Sequence, residues 1–168
     1  MPIDRIPLPD MVAGRLYATG FTDVGPDPDA ALASVGADVL LCLLTDHDIS
    51  LRYPDFLGWL ERHTGGRAWR FRIDDGDVAE DDATATMALE LADRLRAGQG
   101  VVTHCGAGIG RTSLACGLAR AALADEDLAE TLAIVRAARP GAGPENPLQR
   151  AHLERLAARL RGVRAMAG

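Results

Sequence analysis

The sequence contains no lysine: its 18 Lys+Arg residues are all arginine, set against 24 Asp and Glu for a formal net charge of -6. That balance excludes the broad cationic face with which proteins track nucleic acid. The missing lysine, beside abundant Ala, Gly and Arg, is what a GC-rich genome produces, and bulk composition of this kind speaks to solubility rather than to fold. Only three cysteines occur, Cys42, Cys105 and Cys116. An odd number at irregular spacing fits neither a disulfide framework nor a zinc pattern, so at least one thiol is expected to be free. No stretch approaches the roughly 18 uninterrupted apolar residues of a membrane span. The first 14 residues hold Asp4 and three prolines where a signal peptide would be apolar. A cytoplasmic location is expected.

What is present is 168 residues, 48% hydrophobic and 25% charged with mean hydropathy +0.01, enough chain to bury a proper core. No repeat or polar linker divides it, so one domain over 1–168 is expected, with 1–14 as an N-terminal extension. Strand and helix patterns alternate, which implies an α/β fold with a mostly parallel sheet of about 4–5 strands flanked by helices. The first strand is expected over Arg15–Thr19, followed by a short helix from Asp29 to Ser34. The run Ala37–Leu44, with VLLCLL at its heart, reads as a strand buried on both faces and therefore central.

Asp48 or Ser50 is placed to cap a helix that runs to Gly65–Gly66, bent or split at Pro54. Arg67–Ile73 alternates as a half-covered strand nearer an edge. The acidic segment Asp74–Asp82 is expected as a loop before a helix over Ala83–Ala97, with Asp81 and Asp82 capping the helix start. Gly100–His104 is a short buried strand. Helices then follow over Arg111–Ala124, Leu128–Ala138 and Asn146–Arg161, with Arg139-Pro140-Gly141 as a break. Ligands of open α/β sheets bind at the carboxyl ends of strands, which places the site where the last strand runs into the loop at Cys105.

That loop carries the chemistry. Three of the five residues between Cys105 and Arg111, namely Gly106, Gly108 and Gly110, are glycine, with Ala107 and Ile109 between them. Such a backbone curls tightly and aims successive N–H groups inward, a nest for a tetrahedral oxyanion, to which the next helix adds its positive end. The same donors favour a thiolate at Cys105, a nucleophile. Arg111 offers a planar fork to two phosphoryl oxygens, and Thr112 a hydroxyl to the sulfur. A leaving alkoxide or phenoxide also needs a proton from a mobile acid, for which Asp74, Asp75 and Asp77 stand available.

The run His104-Cys105, five residues, Arg111-Thr112 resembles the signature of the cysteine-dependent phosphatases, and every element of that pattern is present. The wider chain is similar to the dual-specificity branch, above all its kinase-associated and small atypical members, because Arg72-Ile73-Asp74-Asp75-Gly76-Asp77 occupies the place of their general-acid loop. The similarity runs from about Leu40 to Gln149. Asp75 stands 30 residues ahead of Cys105, the interval at which this branch places its acid; Asp77 is the runner-up and Asp74 third. The resemblance further implies that Gln149 helps to place the attacking water, and that Cys42, at the end of a strand that could pass behind the loop, could protect Cys105 as a disulfide.

Other roles for these residues are plainer. Cys42 and Cys116 read as inert core. His104 has no second ligand at metal spacing and is expected to orient the loop, while His47, His63 and His152 are expected at the surface. A nucleotide-loop pattern fails in its spacing and in its missing lysine. The five neutral loop residues and the acidic neighbouring loop favour a phosphorylated protein side chain over polyanionic lipids or inositol phosphates. The expected function is hydrolysis of phosphotyrosine, phosphoserine or phosphothreonine on proteins or peptides through a phosphocysteine. The expected protein is a monomer that needs no cofactor or metal and engages no nucleic acid or membrane. A sulfurtransferase or arsenate-reductase-like use of the loop cysteine stands second, and a non-catalytic phosphate-binding module third.

Overall fold

The computed structural model describes residues 2–167. Its order is β1 (Asp4–Ile6), β2 (Arg15–Thr19), α1 (Phe21–Val24), α2 (Pro28–Val35), β3 (Val39–Cys42), α3 (Asp46–Ser50), α4 (Asp55–His63), β4 (Ala68–Arg70), α5 (Asp81–Arg96), β5 (Gly100–His104), α6 (Gly110–Leu123), α7 (Leu128–Ala138) and α8 (Pro147–Ala167). The five strands form one mixed sheet in the order β1-β2-β5-β3-β4. Neighbours pair in parallel except β1, which runs antiparallel to β2 with Asp4 opposite Ala18. The stretch 1–14, expected to be an extension ahead of the fold, thus supplies an edge strand.

Every residue of β3 and β5 is buried, as continuous apolar strands of a parallel sheet must be. Strand β3 is central in the sense expected, paired with β5 on one side and β4 on the other, and the midpoint of the sheet is β5. Having β2 on one side and β3 on the other fixes both flanks of the strand that leads into Cys105. At the far edge β4 is shorter than its alternating pattern, although Phe71 and Ile73 still donate backbone N–H groups to Cys42 and Leu43 at 3.0 Å.

Pro54 splits the expected helix into α3 and α4, since its ring cannot continue a helix. The cap of α3 is Thr45, neither Asp48 nor Ser50: Thr45 accepts from the Asp48 N–H while the Asp48 carboxylate accepts from the Thr45 N–H, a reciprocal capping box. The start of α5 departs from expectation in another way. Its N-cap is Glu80, which makes no side-chain cap, and the carboxylates of Asp81 and Asp82 reach across to Arg155 and Arg159 on α8 at 2.8 and 2.7 Å. The same latch buries His152, expected at the surface, against Asp81 at 3.0 Å.

One helix is enclosed on every side. From Gly110 to Ala122 each residue of α6 is buried, with α5, α7 and α8 packed around it. Its run of Ala and Gly lets those neighbours approach closely; Leu153 of α8 lies where a Cβ on Gly117 would meet it at 3.5 Å. A helix sealed in this way is a rigid base for the loop at its N-terminus.

Candidate active site

The backbone leaves β5 at His104 and curls through Cys105 to Ile109 before α6 begins. Gly108 sits at φ +73°, and a Cβ there would strike the Thr19 carbonyl. Only glycine tolerates both conditions. The outer side of the curl is pinned by its carbonyls. Phe21 N–H donates to the Gly106 oxygen at 2.8 Å, Arg139 donates Nη2 to Ala107 at 2.9 Å and Nε to Gly108 at 2.7 Å, and Ser113 Oγ donates to Ile109. In a planar trans peptide the next N–H points the opposite way. Holding these oxygens outward therefore turns the amides of Ala107 to Gly110 toward the interior of the curl, an anion nest at the positive end of a 14-residue helix.

Arg139 is itself fully buried and is held by Asp4 of β1 at 2.8 Å. The edge strand and the turn after α7 thus meet behind the loop. Ser113 adds a third tie, since it also accepts from the Gly143 N–H at 2.8 Å.

Cys105 lies at the floor of a cavity of about 390 Å³. Thr112 Oγ1 donates to its Sγ at 3.1 Å, a bond that stabilises sulfur when it carries charge. Arg111 is only 4% exposed and is gripped on one side: its Nη1 donates to Asp48 at 2.9 Å and to the Ile73 carbonyl at 2.7 Å, while Nη2 reaches Asp75 at 3.3 Å. Burial works against the guanidinium's charge, yet the Asp48 hydrogen bond and the fields of Cys105, Asp48 and Asp75 raise its pKa above the usual value. Asp48 answers in kind. Its partial burial favours the neutral acid, but hydrogen bonds from Arg111 and Thr45 hold the carboxyl below the ordinary range. Arg111 is therefore a fixed cation with its fork oriented from behind.

Of the three candidate acids, Asp75 lines the cavity, and Asp74 and Asp77 do not. Asp74 and Asp77 close a turn, with the Asp77 N–H on the Asp74 carbonyl at 3.0 Å and Gly76 at φ +73°. The Asp75 carboxylate projects into solvent, 78% exposed. Its loop is tied at two points: Arg111 on Ile73, and Asn146 Nδ2 on the Gly76 carbonyl at 2.7 Å. Asn146 also starts α8, accepting from the Gln149 N–H at 2.9 Å. A carboxyl on a tethered loop at the cavity mouth has the placement a proton donor needs.

The remaining expected residues fall on either side of the line. His104 is buried beside Cys105, 5.7 Å from Phe21 in a stack and 5.5 Å from Phe56 edge-on. Burial first, then the nearby arginines, push its imidazole down to about 3, so it stands neutral as a loop support. Gln149 is buried, but it does not line the cavity; its Oε1 accepts from the Glu145 N–H at 2.8 Å. Its Nε2 is buried with no hydrogen-bond partner among the described residues, and the Glu145 it holds lines the cavity and packs over Gly110. Cys42 pairs in register with His104 on the adjacent strand. All three thiols are free, and burial pushes those of Cys42 and Cys116 up to about 12. Sequence reasoning missed Asp48, Arg139 and Asn146. A carboxylate three residues after a Thr cap and an arginine before Pro-Gly were the available signals, and neither points to Cys105 until the chain folds.

The fold is that of the dual-specificity branch of the cysteine-dependent phosphatases. A kinase associated phosphatase with serine in place of its catalytic site cysteine superposes with a TM-score of 0.77 at 20% identity, over 95% of this chain and 97% of that one. PTPMT1 superposes at 0.74 and 14% identity over 99% of each chain, and human DUSP28 at 0.67 and 18% identity over 88% of this chain and 94% of that one. No protein-family model matches the sequence, and no curated protein matches it. The likeness is one of fold. Among the described residues no helix is long and apolar enough to cross a membrane.

Proposed function

We propose that the protein hydrolyses phosphate monoesters on proteins through a phosphocysteine formed at Cys105. The observation that carries this reading is the convergence, on one cavity, of a cysteine held by Thr112, an arginine with one side of its fork fixed, and an exposed aspartate on a tethered loop. In the first step the Cys105 thiolate attacks phosphorus, the S–P bond forms, and the ester P–O bond breaks as Asp75 gives its proton to the leaving oxygen. Arg111 and the amides of Ala107 to Gly110 hold the phosphoryl oxygens as their charge redistributes. For this Arg111 Nη2 exchanges Asp75 for phosphate. In the second step the Asp75 carboxylate takes a proton from water, the water oxygen attacks phosphorus, and the S–P bond breaks to release phosphate. Thr112 then hydrogen-bonds the departing thiolate.

Five neutral loop residues and the carboxylates of Asp48, Asp75 and Glu145 around the cavity support phosphotyrosine, phosphoserine or phosphothreonine over more highly charged substrates, because like charge at close range disfavours a second phosphate. One structural neighbour, PTPMT1, is solved in complex with PI(5)P, so phosphoinositide is the substrate to set against phosphopeptide. On this reading the protein is a cytoplasmic monomer acting on phosphorylated proteins or peptides, and no cofactor, nucleic acid or membrane takes part.

The test is hydrolysis of p-nitrophenyl phosphate in the presence of a chelator. Turnover should vanish in Cys105→Ser and fall by about 10²–10⁴ in Asp75→Asn, with Cys42→Ser and Cys116→Ser active. Full activity in Cys105→Ser would sink the mechanism. Thiosulfate sulfurtransferase activity without phosphatase activity would replace it with sulfur transfer, and tight phosphate binding without turnover with a binding module.

A further inference from the structure

Arg52 lies in the turn after α3, exposed at the rim of the cavity that holds Cys105. Among the described residues its guanidinium has no ion-pair or hydrogen-bond partner. The other cation of the cavity, Arg111, is buried and already engaged with Asp48 and Asp75. The carboxylates there come from three directions: Asp48 on α3, Asp75 from the acid loop and Glu145 ahead of α8. A substrate seated by its phosphate in the nest therefore meets one uncommitted positive charge, at the rim. Beside it Leu51 is 72% exposed, and Leu44 and Phe21 continue the wall.

We infer that Arg52 sets specificity by receiving an acidic side chain next to the phosphorylated residue of a peptide. The inference rests on the phosphatase reading above for the seat of the phosphate, and it narrows that reading to acid-flanked phosphopeptides. A single exposed guanidinium matches a single carboxylate. A second phosphate would meet the surrounding carboxylates with twice the charge. The hydroxyls of an inositol ring would lie against Leu51, Leu44 and Phe21, whose side chains offer them no hydrogen bond. A peptide covers the same apolar wall with its own apolar atoms.

Binding to the Cys105→Ser protein separates this inference from the chemistry. Three labelled phosphotyrosyl peptides, alike except for Glu, Ala or Arg beside the phosphotyrosine, are titrated by fluorescence anisotropy, with a short-chain phosphoinositide as competitor. The Glu-flanked peptide should bind about threefold to fivefold tighter than the Ala-flanked one, the range of an exposed ion pair. Arg52→Ala should make the two equal, and Arg52→Glu should shift the preference to the Arg-flanked peptide. A merely structural role of Arg52 would not reverse the charge preference. An unchanged ratio in Arg52→Ala, or a phosphoinositide that displaces the Glu-flanked peptide at lower concentration than that peptide's own unlabelled form, overturns the inference. Absence of turnover in the native protein would instead count against the phosphocysteine mechanism, leaving these binding ratios to decide the role of Arg52.

Discussion

Replacing Arg139 with methionine should both destabilise the protein and loosen its phosphate loop. Methionine keeps much of the buried aliphatic volume, so the change isolates the guanidinium. It removes donors from the Ala107 and Gly108 carbonyls and from the Asp4 carboxylate, bonds of 2.9, 2.7 and 2.8 Å. Each buried carbonyl left without a donor costs about 1–3 kcal/mol. Asp4 is partly solvated and adds less, so the loss should be about 3–5 kcal/mol, the range for removing one member of a buried charged pair. Against a total stability of about 5–15 kcal/mol the variant should still fold at low temperature. In urea, followed through the fluorescence of Trp59 and Trp69, the midpoint should fall by roughly 1.5–2.5 M for a slope of about 2 kcal/mol/M. Vanadate, which occupies a phosphate nest, should raise the melting temperature of the native protein and much less that of the variant, because the loop amides are no longer held in place. Arg139→Lys restores one donor and should fall between the two. A midpoint within about 0.3 M of the native protein, with vanadate protection intact, would refute the idea that Arg139 holds the loop.

Three further substitutions probe other links. Gly108→Ala places a Cβ against the Thr19 carbonyl at a left-handed φ, so phosphatase turnover should collapse with at least about 1–2 kcal/mol of lost stability; a fully active, stable variant would contradict the loop geometry. Asp48→Asn removes the charged partner of Arg111, and kcat/KM should fall by about 10–100-fold from a misplaced fork, read from initial rates on p-nitrophenyl phosphate, with unchanged kinetics as the refuting result. His104 is held neutral with its imidazole near 3. As pH falls below about 6.5 the unfolded chain takes up a proton that the folded one refuses, so stability should drop by about 1.4 kcal/mol per pH unit from this residue until roughly pH 3. His104→Phe, which preserves the ring contacts, should flatten urea midpoints between pH 6.5 and 4 by that amount; parallel pH profiles for the two proteins would show that His104 does not titrate this way.

Much of the architecture is legible in the sequence where local signals suffice. The strands Arg15–Thr19 and Gly100–His104 and the helix Leu128–Ala138 have the bounds read from their patterns, because a continuous apolar run and a capped amphipathic run are properties of neighbouring residues. Asp4–Ile6 escapes such reading. Three residues between Ile3 and Pro7 carry no period, and their strand exists only because β2 offers an open edge. His152 likewise looks like an ordinary helix residue until Asp81 packs against it from α5.

The sequence by itself determined the cysteine, the glycine-rich turn and the arginine of the loop, because a phosphate nest is built from consecutive peptide units and its requirements are local. It also narrowed the proposed acid to three neighbouring aspartates. Only the tertiary structure decided that Asp75 alone of the three lines the cavity, that Asp48 grips Arg111 across 63 residues of chain, and that Arg139 holds the loop from behind with Asp4 at its other end. The reason is one of range. A hydrogen bond between distant segments depends on where the sheet and helices bring them, and nothing in the spacing of either residue along the chain records that meeting.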